Sequence, residues 1–431
     1  MTDTIFALSS GPLPSGIAVL RMTGPAVRLV LETTVGALPS PRRAVLRDVH
    51  GDDGEVIDRG LILFFPAPGS FTGEDVAEFH LHGGRAVVAA FLAFLGSLPG
   101  LRLAEAGEFT RRAFDNGRLD LTEVEGLADL IAADTDSQRR QALRLAGGAF
   151  RARAEDWRQR LIEIRARVEA NLDFADEDDV PEAVAADVGI DAGLLRAEME
   201  RELQAGRRGE RIRDGFEAVV LGPPNAGKSS LVNALAERDI AIVTDIPGTT
   251  RDLLEVRLDL GGYAVTLVDT AGLRQGAGDA IEAEGIRRGR ARAAAADLIV
   301  WLDEDGTGPS TDVAGLGVPL LALRSKADLH DGATEAVSIH DRRTLDRLLD
   351  RLTREAADRL AGEAPLVSRA RQRQCLEQAV KALRRAERPD LPVEIAADRL
   401  RQAGDALGRL TGRIDVEEVL GSIFSTFCIG K

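Results

Sequence analysis

Short apolar runs broken by Gly and Pro fill roughly the first 120 residues, the texture of alternating strands and helices. Ile17, Ala18, Val19 and Leu20 predict one buried strand, and residues 61–65 predict another. Residues 86–95 predict a helix after the His82-Gly83-Gly84 turn. From Leu119 the pattern changes: Gly and Pro become sparse, and Ala, Glu, Arg and Leu dominate through Gly206. Trp157, Leu161, Ile164, Val168 and Leu172 recur three or four positions apart, the apolar stripe of an amphipathic helix. The acidic run 173–179 ends before Pro181 and marks a helix–helix junction. It reads as a metal site or as solvated loop charge, and the absence of a Gly-turned loop favours the latter. From Phe216 the strand–turn–helix rhythm returns, with strand-like runs at 218–221, 265–268, 298–302 and 320–323. That rhythm predicts a mostly parallel sheet with helices on both faces. After about Pro365 the chain is helical again, so helical segments flank the alternating block.

The expected fold class is therefore multidomain α/β plus all-α, with four segments. Residues 1–119 form an N-terminal α/β domain, 120–212 the first part of a helical domain, 213–365 an inserted Ras-like P-loop domain, and 366–431 the second helical part. At 431 residues the chain can bury several separate cores. A formal charge of −15 leaves no broad basic face for non-specific nucleic-acid binding, so an RNA partner needs a local basic patch or a second protein. Two cysteines, Cys375 and Cys428, make no disulfide framework and suit a reducing cytosol. The N-terminus lacks a signal-peptide pattern, and no apolar run approaches the roughly 20 residues of a membrane helix. The expectation is a cytoplasmic protein with no membrane role.

Phosphate chemistry enters at Gly222-Pro-Pro-Asn225-Ala226-Gly227-Lys228-Ser229, a Walker A pattern between an apolar strand and the helix-like run opening at Ser230. Its glycines let backbone N–H groups wrap the phosphates, the helix N-terminus adds partial positive charge, and Lys228 bridges the outer phosphates. Ser229 offers Mg²⁺ an oxygen. Asp269-Thr270-Ala271-Gly272 ends the next apolar run, where Asp269 holds Mg²⁺ through water and the Gly272 N–H meets the γ-phosphate. Between them Thr244, Asp245, Ile246, Pro247, Gly248, Thr249 and Thr250 form a switch-like loop with Thr250 as a further Mg²⁺ ligand. Ser325, Lys326 and Asp328 predict guanine selection: the carboxylate accepts two guanine N–H groups that adenine lacks, and the lysine stem packs over the base. Asparagine is usual where Ser325 stands, which points to weaker nucleotide affinity. Ser338 is a candidate for the next base-contacting loop. Where Ras-like enzymes place a water-orienting glutamine, this chain has Leu273, so another group must position water. Glu282 is a candidate, with a surface-helix carboxylate as the plain alternative.

Several strings together resemble the tRNA-modification GTPase family MnmE, also called TrmE, over essentially the full length. They are Asp3-Thr-Ile and Val19-Leu-Arg21-Met-Thr-Gly24; Ser70-Phe-Thr-Gly-Glu74-Asp75 with Glu78; Gly107-Glu108-Phe through Asn116-Gly-Arg118-Leu-Asp120; and the terminal Phe427-Cys428-Ile-Gly-Lys431. The resemblance implies a dimer formed through an N-terminal domain that binds 5-formyl-tetrahydrofolate or a related folate, with contacts on Arg21, Glu78, Arg118 and Lys431. It implies an FAD-bearing partner of the MnmG (GidA) type and addition of a carboxymethylaminomethyl- or aminomethyl-type group to the wobble uridine of certain tRNAs. It also implies GTPase domains that pair and use K⁺ in place of an arginine finger, with Asn225, Thr244, Ile246 and Thr249 as ligands and Glu282 orienting water. The resemblance makes a chemical role for Cys428 attractive, while a buried free cysteine is the commoner fate of a lone thiol between Phe427 and Ile429. The alternatives are a ribosome-assembly GTPase switch without nucleoside chemistry, and a folate-dependent one-carbon transferase that GTP only regulates.

Overall fold

A computed structural model describes residues 3–52, 54–173, 183–238, 240–242, 254–269, 279–329, 335–388, 391–414, 420–421, 423–424, 427 and 429–430. The chain divides into two compact units, one of residues 1–128, 146–162 and 404–431, the other of 129–145 and 163–403.

The first unit holds strands β1 (Thr4–Leu8), β2 (Ser15–Thr23), β3 (Val45–His50), β4 (Val56–Phe65), β5 (Val76–Gly83) and β6 (Leu101–Leu103), ordered β3-β4-β5-β2-β1-β6. Pairing is antiparallel except for β1 with β6. Helices α1 (Val27–Val35) and α2 (Arg85–Ser97) cover one face. Ala18, Leu20 and Met22 of β2, Ala77, Phe79 and Leu81 of β5, and Ile62 and Phe64 of β4 pack there against Val27, Val30 and Leu31 of α1 and Phe91 and Leu95 of α2. The expected buried strands are corrected here, because only alternate residues are inside. Ile17 is 63% exposed and Leu61 43% exposed, since an antiparallel strand with helices on one face buries a period of two.

Helices α3 (Glu108–Asp115), α4 (Leu121–Ile131), α5 (Asp136–Ala146), α6 (Ala149–Asp173) and α7 (Ala183–Asp214) follow. Trp157, Leu161, Ile164 and Val168 of α6 are all buried, as their spacing predicts. Most of the acidic run and Pro181 lie outside the described residues.

The second unit contains strands β7 (Phe216–Leu221), β8 (Leu254–Leu260), β9 (Tyr263–Asp269), β10 (Leu298–Asp303) and β11 (Leu320–Arg324), ordered β11-β10-β7-β9-β8. The four expected strands pair in parallel, and β8 joins as an antiparallel edge. Between and after them run α8 (Lys228–Ala236), α9 (Asp279–Ala295), the short α10 (Thr311–Ala314) and α11 (Arg342–Leu360). Both faces of this sheet are covered. Val220, Leu267, Val300 and Leu352 sit in one core, while Val219, Val268, Ile299 and Ala293 sit in the other. The helices α12 (Ala370–Ala386) and α13 (Val393–Thr411) complete the chain's regular elements among the described residues.

Candidate functional site

The phosphate loop leaves β7 at Gly222, whose φ of 154° and surroundings admit no side chain: a Cβ there would meet the Leu302 carbonyl oxygen at 1.9 Å. Asn225 is left-handed at φ 64°, and Gly227, at φ 87°, precedes α8. The α8 N-terminus therefore faces the loop with unsatisfied N–H groups suited to anions. Lys228 is buried, and its ammonium donates to the carbonyls of Gly222 at 3.1 Å and Pro223 at 2.8 Å. The loop's own carbonyls thus fix where the lysine ammonium sits.

Parallel pairing of β7 with β9 sets Val220 opposite Asp269, bringing that carboxylate beside the loop. The Ser229 hydroxyl donates to Asp269 Oδ2 at 2.5 Å, and Asp269 is buried. A hydroxyl and a carboxylate converging beside a phosphate loop are hard oxygen donors of the kind Mg²⁺ takes, so these residues fit that ion. Thr244, Asp245, Ile246, Pro247, Gly248, Thr249, Thr250, Thr270, Ala271 and Gly272 lie outside the described residues. Glu282 falls within α9.

At the other end, Ala226, Gly227, Ser230, Leu231, Ser325, Lys326, Asp328 and Ser338 are among the residues lining a cavity of about 240 Å³. The loop after β11 is pinned on several sides. The Ser325 N–H donates to the Asp303 carbonyl at 2.7 Å, and the Ala327 N–H to the Val337 carbonyl at 3.2 Å. The Ser338 hydroxyl donates to Asp328 Oδ1 at 2.5 Å. Sequence reasoning missed Glu304, whose carboxylate binds the Lys326 ammonium, and also Ile339 and His340 at the cavity rim. A carboxylate directly after an apolar strand was the available signal for Glu304. Asp303 beside it is buried, which pushes its carboxyl up. The N–H groups of Gly308 and Gly306, helped by Trp301 and Thr307, outweigh that and hold it below the usual carboxylate range.

In the first unit, Arg21 and Glu78 meet in a 2.8 Å ion pair, and His80 Nε2 lies 3.2 Å from the other Glu78 oxygen. The Arg21 guanidinium lies 6.0 Å from the ring centres of both Phe71 and Phe109. Arg118 packs against Gly73, its Cγ 3.2 Å from where a Gly73 Cβ would stand. Lys431 and Cys428 lie outside the described residues. Their neighbours are placed: Ile429 bridges to Ala106, and the Gly430 carbonyl accepts from the Ser9 hydroxyl at 2.9 Å.

Other signature residues build a buried ion network. The Arg112 side chain is fully enclosed and contacts Asp3 at 3.0 Å, Glu74 at 3.2 Å and Glu108 at 3.2 Å. Thr23 donates to Glu74, and Asn116 to the Thr72 carbonyl. Glu108 also binds Arg102.

A glycine-built loop leading from a mostly parallel sheet into a helix N-terminus, with a buried lysine at its end, is the framework of a P-loop nucleotide-binding protein. The family model described as GTP-binding protein TrmE N-terminus matches residues 4–118, and that of the MnmE helical domain matches residues 121–428. The chain is 52% identical over 436 residues to the tRNA modification GTPase MnmE of Brucella canis, covering 100% of this chain and 98% of that one. Against the tRNA modification GTPase MnmE of Brucella anthropi it is 52% identical over 439 residues, covering 100% and 99%. The G domain of the T. maritima FeoB iron transporter matches at 19% identity and a TM-score of 0.23, over 34% of this chain and 99% of that chain. The chain belongs to the MnmE family of tRNA modification GTPases. It is a GTP hydrolase of tRNA modification, and no described helix is long and apolar enough to cross a membrane.

Proposed function

We propose that this GTPase, with Mg²⁺ and K⁺, works beside an FAD-bearing MnmG-type flavoprotein to add a carboxymethylaminomethyl- or aminomethyl-type group at C5 of the wobble uridine of certain tRNAs, in the cytoplasm. The observation that carries the reading is 52% identity across the whole chain to a tRNA modification GTPase, joined to a phosphate loop with Ser229 on Asp269 and a cavity lined by Ser325, Lys326 and Asp328. Lys228 and the α8 N-terminus bind the phosphates, and Asn225, Ala226, Gly227 and Ser230 shape the loop around them. Ser229, Asp269 and Thr250 hold Mg²⁺, which when bound neutralises charge on the phosphate oxygens. Asp328 selects guanine, with Lys326 over the base. Asn225, Thr244, Ile246 and Thr249 supply K⁺ oxygens, and Glu282 orients water. Deleting the gene is expected to remove the wobble-uridine modification, read by nucleoside mass spectrometry. An unchanged nucleoside profile rejects the tRNA chemistry and favours an assembly switch.

The K⁺ reading has its own test. GTP turnover is expected to be far faster in K⁺ than in Na⁺ at equal ionic strength, with specific activity rising with protein concentration as GTPase domains pair. Equal and concentration-independent rates discard both the cation and the pairing, and leave an arginine in cis, Arg251 or Arg274, as substitute.

The folate reading takes Arg21, Arg118 and Lys431 for ligand carboxylates and Glu78 for pterin N–H donors. Support comes from the sheet face that α1 and α2 leave uncovered, where Ile17 and Leu61 stand exposed in register with His82 and His80 beside the Arg21–Glu78 pair. An exposed apolar strip of this kind suits burial against a second copy, so a homodimer and a folate site on one face are mutually consistent. The domain division at residues 119, 212 and 365 belongs to the same proposal.

A further inference from the structure

The base cavity holds one residue whose chemistry the guanine reading leaves unused. Ser325 is 3% exposed, and its hydroxyl oxygen is enclosed with no hydrogen-bond partner among the described residues. Its backbone has little freedom to change this. The N–H is committed to the Asp303 carbonyl, the next residue stands at φ 53° with its ammonium on Glu304, and Asp328 is tied to Ser338. Ser338 is itself anchored, its N–H donating to Thr344 Oγ1 at 2.9 Å. An asparagine at this position would carry an amide donor a bond further from the backbone, toward the base. Serine stops short of that reach, and its hydroxyl oxygen is enclosed.

We infer that Ser325 makes this site blind to the imidazole edge of guanine: it reads the Watson–Crick edge through Asp328 and makes no hydrogen bond to N7. The ligand class accepted is thereby wider than GTP and GDP, and takes in guanine nucleotides whose position 7 is carbon. This rests on the base-cavity assignment proposed above. The physical consequence is an affinity lower by one neutral hydrogen bond, with selectivity against adenine intact. Adenine is rejected at the opposite edge, where its exocyclic amine and N1 lone pair offer Asp328 neither guanine arrangement of donors.

The test is competition against a fluorescent GDP on the full chain, using GDP and 7-deaza-GDP, which replaces N7 by C–H. The two are expected to bind the wild-type protein within about twofold of each other. Ser325→Asn is expected to tighten GDP alone and open a preference over 7-deaza-GDP of about three- to tenfold, the range of one net neutral hydrogen bond. A wild-type preference for GDP above about twofold overturns the inference and shows that the Ser325 hydroxyl or the His340 imidazole reads N7. Should Ser325→Asn fold poorly, the wild-type ratio decides alone. Asp328→Asn is the control for the underlying assignment: it should exchange GDP for XDP as the preferred ligand. If GDP preference survives that change, the cavity is not the base site and the assignment fails, whatever the 7-deaza ratio.

Discussion

Replacing Arg112 with methionine is expected to destabilise the first unit by about 1–3 kcal/mol, because three partly buried carboxylates lose an enclosed partner while Arg102 still holds two of them. The guanidinium is fully enclosed and contacts Asp3, Glu74 and Glu108, whose side chains are 35%, 20% and 11% exposed. Methionine fills much of the volume but leaves Asp3 and Glu108 with Arg102 as their remaining cation and Glu74 with the Thr23 hydroxyl. Unfolding in urea can be followed by Trp157, buried in this unit, in a Trp301→Phe background. A loss under about 1 kcal/mol would mean that water or Arg102 takes over the carboxylates, and that the network is not what fixes this corner.

The same network sets a pH dependence. Burial pushes the Glu108 carboxyl up, but Arg102, the Glu105 N–H and Arg112 outweigh it and hold it below its ordinary value. Asp3 is depressed in the same way: burial raises its carboxyl, while Arg102 and Arg112 lower it further. A carboxyl depressed in the folded state contributes stability that is fully present above its unfolded pKa and is lost as pH falls through the folded one. Acid should therefore weaken the wild-type unit, and the Arg112→Met variant should lose less over the same range.

Lys228→Ala is expected to lower the GTP turnover number by a factor on the order of 10²–10³, as removal of one preorganised charge-stabilising donor does. The Gly222 and Pro223 carbonyls hold the ammonium in the loop, so little reorganisation is needed when phosphate arrives. Phosphate release at saturating GTP and Mg²⁺ measures the loss, and circular dichroism checks that α8 survives. Turnover within tenfold of wild type would show that the helix N-terminus carries phosphate binding without the lysine.

Much of this site was legible because its demands are local. Gly222 and Gly227 answer to backbone angles and close approach, which a short string of residues reveals by itself. The parallel strands β7, β9, β10 and β11 are short apolar runs bounded by turns, and such runs read the same alone as in the fold. The amphipathic stripe of α6 is equally local. β8 was missed although Val256, Leu258 and Leu260 alternate with polar neighbours, because attention to apolar runs passes over an edge strand of period two.

By itself, the sequence determined the class of chemistry, the order of the motifs and the family. Those depend on residue types at fixed short spacings. Only the tertiary structure decided contacts that no motif names: the Ser338 hydroxyl on Asp328, and Glu304 with Lys326. It also turned Arg112, Glu74 and Glu108 from signature letters into a buried ion network, and left Ile17 and Leu61 on an uncovered face. The reason is that strand order and helix placement, which bring residues together across tens of positions, are set by the burial of whole faces and not by any one segment.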